Sequence, residues 1–358
     1  MTKKKAGIFI SAGIGDAILL IPMVNHLKRL NFHVVGILTT QYPCEDIFNL
    51  GKTFDEFIIA RTKKQLLDLI GNHRIQFHAI FLNFFAGSYM NLLVSRLISK
   101  KIFTNAKPKR FKAFKWLLFK VLMINYIEPV KSLHDHEQNI YLINKETKYQ
   151  LSEDDISLNL NTSKVNAFKQ MVDGPYIVIQ AVSANNQVQF KNWPIQHWKV
   201  FFNEVCKAFP KIKFILLGDS NEVEAAEEVL ALGHQNIESF VGKTTLMEVN
   251  QLIYQSKLLV GLDGGLMHIA ASLGIPTLTI WGASSDQHYG YHHCFPKKHF
   301  IIKHQLSCQP CNLWINPNQS RVKNPELCPD FKCIREIKPK EVIETFKHVV
   351  RELGIWVV

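Results

Sequence analysis

Short apolar runs alternate with amphipathic stretches along most of the chain, at regular spacing. In the first half, Gly7–Ser11, His33–Thr39, Glu56–Ala60 and Phe77–Asn83 read as strands. Asp16–Leu30, Glu45–Leu50 and Lys63–Gly71 read as helices between them, and another helix begins at about Ser88. Pro22 forces a kink or a restart inside its helix. The rhythm breaks at the polar stretch Leu151–Ser163 and then resumes. Strands are predicted at Tyr176–Gln180, Lys213–Leu217, Ile237–Phe240, Lys257–Val260 and Thr277–Trp281. Helices are predicted at Pro194–Phe209, Glu222–Leu232, Thr245–Gln255, Leu266–Leu273 and about Lys338–Leu353. Alternating strands and helices predict α/β architecture with parallel, doubly wound sheets. Two such sets, joined near Asn159–Asn166, predict two Rossmann-like domains facing across a cleft. The loops after the strands are therefore where ligands are sought.

With 358 residues, 47% hydrophobic and 20% charged, the chain has the composition of a globular protein of two ordinary domains. It has no uninterrupted apolar run long enough to span a bilayer. The basic start leads into a strand-like run and a glycine turn rather than a signal peptide, so the expected location is the cytoplasm. The net charge of +12 points to an anionic partner. Part of the excess is concentrated in Lys100, Lys101, Lys107, Lys109, Arg110, Lys112, Lys115 and Lys120, interleaved with Phe111, Phe114, Trp116, Leu117, Leu118 and Phe119. This segment reads as a membrane-surface helix, or as a core-packing helix with a solvated basic face. No recognition helix, zinc finger or RNP pattern supports nucleic-acid binding.

Four strand ends carry candidate chemistry. Ser11-Ala-Gly-Ile-Gly-Asp16 is a glycine turn into a helix, with Asp16 either capping that helix or acting as a base. Phe190-Lys-Asn-Trp-Pro194 places Lys191 where it either neutralises a diphosphate or lies solvated in a loop. Leu216-Leu-Gly-Asp-Ser-Asn-Glu222 is a strand, a turn and a helix start, in which Glu222 either serves the helix dipole or accepts hydroxyls. Asp263-Gly264-Gly265-Leu-Met-His268 is a glycine turn whose backbone N–H groups can approach an anion. There His268 is either a phosphate contact or a satisfied core histidine, and Asp263 fixes the turn or contacts a sugar rather than a metal.

Asp-Gly-Gly-x-x-His-Ile-Ala-x-x-x-Gly-x-Pro, from Asp263 to Pro276, resembles the signature of glycosyltransferase family 9, the lipopolysaccharide heptosyltransferase family. Gly264 stands where that family usually has Thr or Ser. The Gly-x-Gly-Asp turn, Lys-x-Trp-Pro with Trp198, Gly218 to Glu222, and Val241-Gly-Lys-Thr-Thr-Leu are also similar to family segments. The resemblance implies the two-domain GT-B fold and inverting transfer from a nucleotide sugar, ADP-heptose by default. Domains are expected at 1–160 (acceptor) and 161–336 (donor), with helix 337–358 returning to the first. Asp16 is implied as the general base, with Gly13 and Gly15 bordering the acceptor. Ser183, Lys191, Glu222, Asp263, Gly264, Gly265 and His268 are implied donor contacts, Glu222 at the nucleotide ribose. Trp193 and Trp198 are expected to pack rather than bind. No cofactor is required. The implied partners are a nucleotide sugar, a lipid-linked glycan acceptor and the cytoplasmic face of the inner membrane, with no nucleic acid. Rival readings are another nucleotide-sugar donor, an epimerase of the same architecture, or a non-catalytic sugar-nucleotide binder. Cys308-x-x-Cys311 and Cys328-x4-Cys333 are free thiols, a structural zinc site or disulfides; Cys44, Cys206 and Cys294 are isolated.

Overall fold

The computed structural model describes residues 3–73, 76–106, 114–166, 168, 170–181, 191–311, 328 and 330–355. The chain divides into two compact units, Met1–Asn166 and Ala167–Val358.

The first unit is a parallel sheet in the order β3-β2-β1-β4-β5-β6. Its strands are β1 (Lys4–Ile10), β2 (Phe32–Leu38), β3 (Glu56–Ile59), β4 (Phe77–Leu82), β5 (Ser99–Thr104) and β6 (Ile124–Tyr126). The register of β1 begins at Lys4↔Phe32, so pairing continues through the two polar lysines that hid the strand's start. The helix expected over Asp16–Leu30 is two helices, Ile14–Ile18 and Ile21–Arg29, with Pro22 in the first turn of the second. A restart leaves the missing proline N–H where no helical partner is needed. Phe9, Val35, Ile37, Ile80, Leu82 and Leu92 belong to the core of this unit.

The second unit repeats the plan, in the order β12-β11-β10-β7-β8-β9. Its strands are β7 (Tyr176–Ile179), β8 (Lys213–Leu216), β9 (Ile237–Ser239), β10 (Leu259–Leu262), β11 (Thr277–Trp281) and β12 (His299–Lys303). Counted within each unit, both sheets have the strand order 3-2-1-4-5-6 of a dinucleotide-binding fold. Strands β7, β8, β10 and β11 are buried along nearly all their length, as expected for a parallel sheet covered on both faces.

The core of the second unit is aromatic. Trp193 packs edge-on to Trp198 at 5.0 Å and donates from Nε1 to the Ile337 carbonyl at 2.9 Å. Phe346, on the last helix Pro339–Glu352, packs edge-on against Phe201 and Phe209. That helix buries Val342, Ile343, Phe346, Val349 and Val350 in this core. Its apolar face completes the core of the second unit, where Phe201 and Phe209 receive Phe346.

The basic segment is not one helix. Lys100 and Lys101 lie exposed on β5, and Lys107, Lys109, Arg110, Phe111 and Lys112 lie outside the described residues. Lys115 to Lys120 fall on a short helix, Phe114–Val121. Phe119 turns into the core beside Tyr126, while Leu117, Val121 and Met123 are exposed. Among the described residues no helix is long and apolar enough to cross a membrane.

Candidate active site

The order of the second sheet reverses between β7 and β10, which pair directly at Leu259↔Val178 and Val260↔Ile179. The chain leaving β10 reaches Asp263 at once, and the chain leaving β7 reaches Lys191. Lys191 Nζ lies 2.7 Å from Asp263 Oδ2 and 3.4 Å from the Asp263 carbonyl. Both side chains are largely buried, 13% and 6% exposed. Ser284, just past β11, donates to the same carboxylate oxygen. Residues that follow β7, β10 and β11 thus meet at one carboxylate, and the ion pair holds the lysine ammonium before any ligand arrives.

Gly264 caps the helix Gly265–Ser272 with φ of −167°, an extended backbone that any residue adopts. The glycine is therefore not demanded by the turn. Its effect is chemical: no side chain caps this helix, so satisfying its first-turn N–H groups is left to other partners. Such N–H groups suit an anion.

His268, on that helix, is buried, with Nδ1 2.9 Å from the Tyr291 hydroxyl. Burial pushes the imidazole down to about 4, against the upward pull of Asp263 and with the repulsion of Lys191. At neutral pH the ring is uncharged. Burial also pushes the Tyr291 phenol up, so it keeps its proton.

Glu222 closes the turn after β8, Ser220–Glu222. Burial, and then the charge of Asp219, push its carboxyl up to about 8. A Cβ on Gly218 would stand 2.0 Å from Glu222 Oε2, so the carboxyl has its seat only because residue 218 has no side chain.

In the first unit, the chain leaving β1 turns at Gly13, passes Gly15 and places Asp16 in the helix Ile14–Ile18. The carbonyl of Leu19, at the end of that helix, accepts from His136 Nδ1 at 3.0 Å and Asn139 Nδ2 at 2.8 Å. Both donors belong to the helix Asp135–Asn144, which is thereby fixed beside the Asp16 turn. Burial, and then the charge of Asp16, push the Asp135 carboxyl up to about 8. Burial, followed by Glu45 and with a smaller push from Asp16, takes the Cys44 thiol to about 12.

The expected donor residues Lys191, Asp263, Gly264, Gly265 and His268 thus come together, Glu222 lies after the neighbouring strand β8, and Ser183 lies outside the described residues. Asp16, Gly13 and Gly15 share one turn of the other unit. Sequence reasoning missed Ser284, Tyr291 and Asp135. Ser284 was within reach of the strand-end rule, since it follows β11. Tyr291 and Asp135 carry no such local signal.

None of the seven cysteines is joined in a disulfide. Cys311 and Cys333 are buried together with Ala283, against Leu306 and Phe331. The Cys333 thiol is pushed up to about 12 by burial and then by Cys311, Cys328 and Cys308, so the four sulfur groups share one neighbourhood.

The profile of Glycosyltransferase family 9 (heptosyltransferase) matches residues 109–320, more than half of the chain. The chain belongs to glycosyltransferase family 9. It is 30% identical over 99 residues to lipopolysaccharide heptosyltransferase 2 of Salmonella typhimurium, a match covering 26% of this chain and 28% of that protein. The match thus spans less than a third of that curated relative. The solved family 9 glycosyl transferase of Veillonella parvula has the same fold, with a TM-score of 0.77 at 15% identity over 98% of this chain and 99% of the other. So does the E. coli ADP-heptose lipopolysaccharide heptosyltransferase II, with a TM-score of 0.71 at 16% identity over 98% and 99%. The fold is that of the GT-B heptosyltransferases.

Proposed function

We propose that the chain is an inverting, metal-independent glycosyltransferase that moves heptose from ADP-heptose to a lipopolysaccharide-core acceptor. The observation that carries this reading is the convergence of Lys191, Asp263, the Gly264–Gly265 helix start and His268 at the switch point of the second sheet. Family membership supports it. The Salmonella relative and the E. coli structure supply heptose and ADP-heptose as the default donor chemistry.

In this reading the N–H groups at Gly264 and Gly265 and the ammonium of Lys191 hold the donor diphosphate and take up the charge that develops as it leaves. In the tautomer this reading requires, Tyr291 donates to His268 Nδ1 and the neutral ring carries its proton on Nε2, from which it donates to a phosphate oxygen. Asp263, held in turn by Ser284, keeps the lysine placed and also meets the sugar. Ser183 adds a hydroxyl near phosphate, and Glu222 binds the vicinal ribose hydroxyls. Asp16 takes the proton from the acceptor hydroxyl as it attacks the anomeric carbon, with Gly13 and Gly15 bordering the acceptor. The protein works at the cytoplasmic face of the inner membrane, where the exposed Leu117, Val121 and Met123 beside Lys120 approach the lipid surface.

The test is binding and slow hydrolysis across a panel of nucleotide sugars, comparing the native chain with Asp16→Ala. One donor, ADP-heptose, should bind both proteins and be turned over only by the native one. If no nucleotide or nucleotide sugar binds, the reading fails.

A further inference from the structure

After β11 the chain forms a short helix, Asp286–Tyr289, and a turn through Gly290 to His293. Asp286 is 6% exposed. His292 Nε2 lies 3.3 Å and His293 Nε2 3.6 Å from its Oδ2. The two rings pack with centroids 3.6 Å apart. Among the described residues these are the three side chains whose potential ligand atoms all lie within 4.8 Å of one another. Neighbouring ligand atoms around one tetrahedral ion held at roughly 2.0–2.2 Å stand about 3.3–3.6 Å apart, the separation of each histidine Nε2 from Asp286 Oδ2. We infer that Asp286, His292 and His293 form a two-histidine, one-carboxylate site for a divalent first-row transition metal.

The donor set selects the ion class. Two imidazoles and a carboxylate suit zinc, cobalt or ferrous iron, whereas calcium and magnesium prefer oxygen ligands throughout. Three protein donors leave open coordination positions. Lys303 is the competitor, with Nζ 2.6 Å from the same Oδ2. It also lines a cavity of about 420 Å³ with Ser285, Gln287, His304 and Gln309, which gives its ammonium room to turn away as the ion enters. The turn between the ligands carries Tyr291, the partner of His268. A bound ion therefore braces the segment that orients His268; this consequence, unlike the site itself, rests on the proposed donor role of that histidine.

The test is a cobalt titration of the full chain after chelation, followed by visible absorption without any sugar nucleotide. The native chain should bind cobalt with ligand-field bands free of thiolate charge transfer. His292→Ala and His293→Ala, with unchanged melting curves, should weaken binding by at least the roughly 100-fold known for loss of supporting groups. Lys303→Met should tighten it by about ten-fold by removing a competing charge. The inference is overturned if no cobalt binds, if the only bands are thiolate charge transfer indifferent to His292→Ala, or if Lys303→Met abolishes binding. The last result would make the cluster an ion-pair network. Because no donor is present, the outcome stands whether or not the transferase reading does.

Discussion

The two units share one strand order, yet their glycine turns follow different strands, β1 in the first and β8 and β10 in the second, and the groups they collect are opposite in kind. After β1 the first unit gathers acids, Asp16 with Asp135 in electrostatic reach. After β7 and β10 the second gathers a lysine, an uncapped helix start and a neutral histidine around one buried carboxylate. The first arrangement favours holding or accepting a proton, because crowded carboxyls resist sharing a second negative charge. The second favours receiving an anion, because cation and N–H groups are already positioned. The same sheet topology thus supports either chemistry, and the residues at the strand ends decide which.

The contrast breaks most sharply at Asp16. Asp16→Asn should cut turnover by roughly 10²–10⁴-fold, the usual share of general-base catalysis, with donor affinity unchanged in calorimetry. A parallel loss of donor affinity would mean that the acid belongs to the binding site after all.

Lys191→Ala should act on the second unit in the opposite way. It leaves the buried Asp263 charge unpaired, so the chain should lose about 3 kcal/mol in chemical denaturation, along with its donor affinity. Lys191→Ala combined with Asp263→Ala should recover much of the stability and none of the binding. Equal losses in both variants would show that the loss does not come from the unpaired carboxylate.

Acid should separate the units next. His268 titrates near 6.5 when unfolded and near 4 when folded, so the unfolded chain binds the extra proton between those values. Stability contributed by the neutral ring is complete above about pH 6.5 and falls as the pH drops toward 4, by up to about 3 kcal/mol. His268→Gln should flatten that limb. Asp135 in the first unit has the reverse sign: its folded value is raised, so its contribution is present below about pH 4 and is lost as the pH climbs through 8. Asp135→Asn should remove a decline that runs from about pH 4 to 8, so the melting temperature rises more steeply through the His268 window and falls less above it.

The smallest effect is expected at Gly264. Since its backbone is extended, Gly264→Ser fits without strain and supplies a cap, for a gain of only a few tenths of a kcal/mol. If that hydroxyl also reaches phosphate, donor affinity rises more than stability does. A destabilised Gly264→Ser protein would show that the turn needs glycine for space.

Much of this was readable from residues in order. The βα rhythm survives because apolar periodicity is a local property of a buried parallel sheet, and Gly13, Asp16, Lys191, Glu222 and Asp263 stand at strand ends that the periodicity marks. The misreading has a physical cause too. β5 escaped notice because Ser99-Lys-Lys-Ile-Phe-Thr104 opens with exposed lysines, and those lysines were then assigned to a basic helix. The last helix shows an apolar face in sequence, but only packing chose its socket.

By itself the sequence determined the two α/β sets, the turns that carry the chemistry and the family signature around Asp263 to Pro276. Tertiary structure decided which turns meet. Strand order is a non-local choice, and putting β10 beside β7 is what brings Lys191 to Asp263 across 72 residues of chain. The same folding set Tyr291 on His268, Ser284 on Asp263, and two histidines on Asp286, pairs that no spacing along the chain announces.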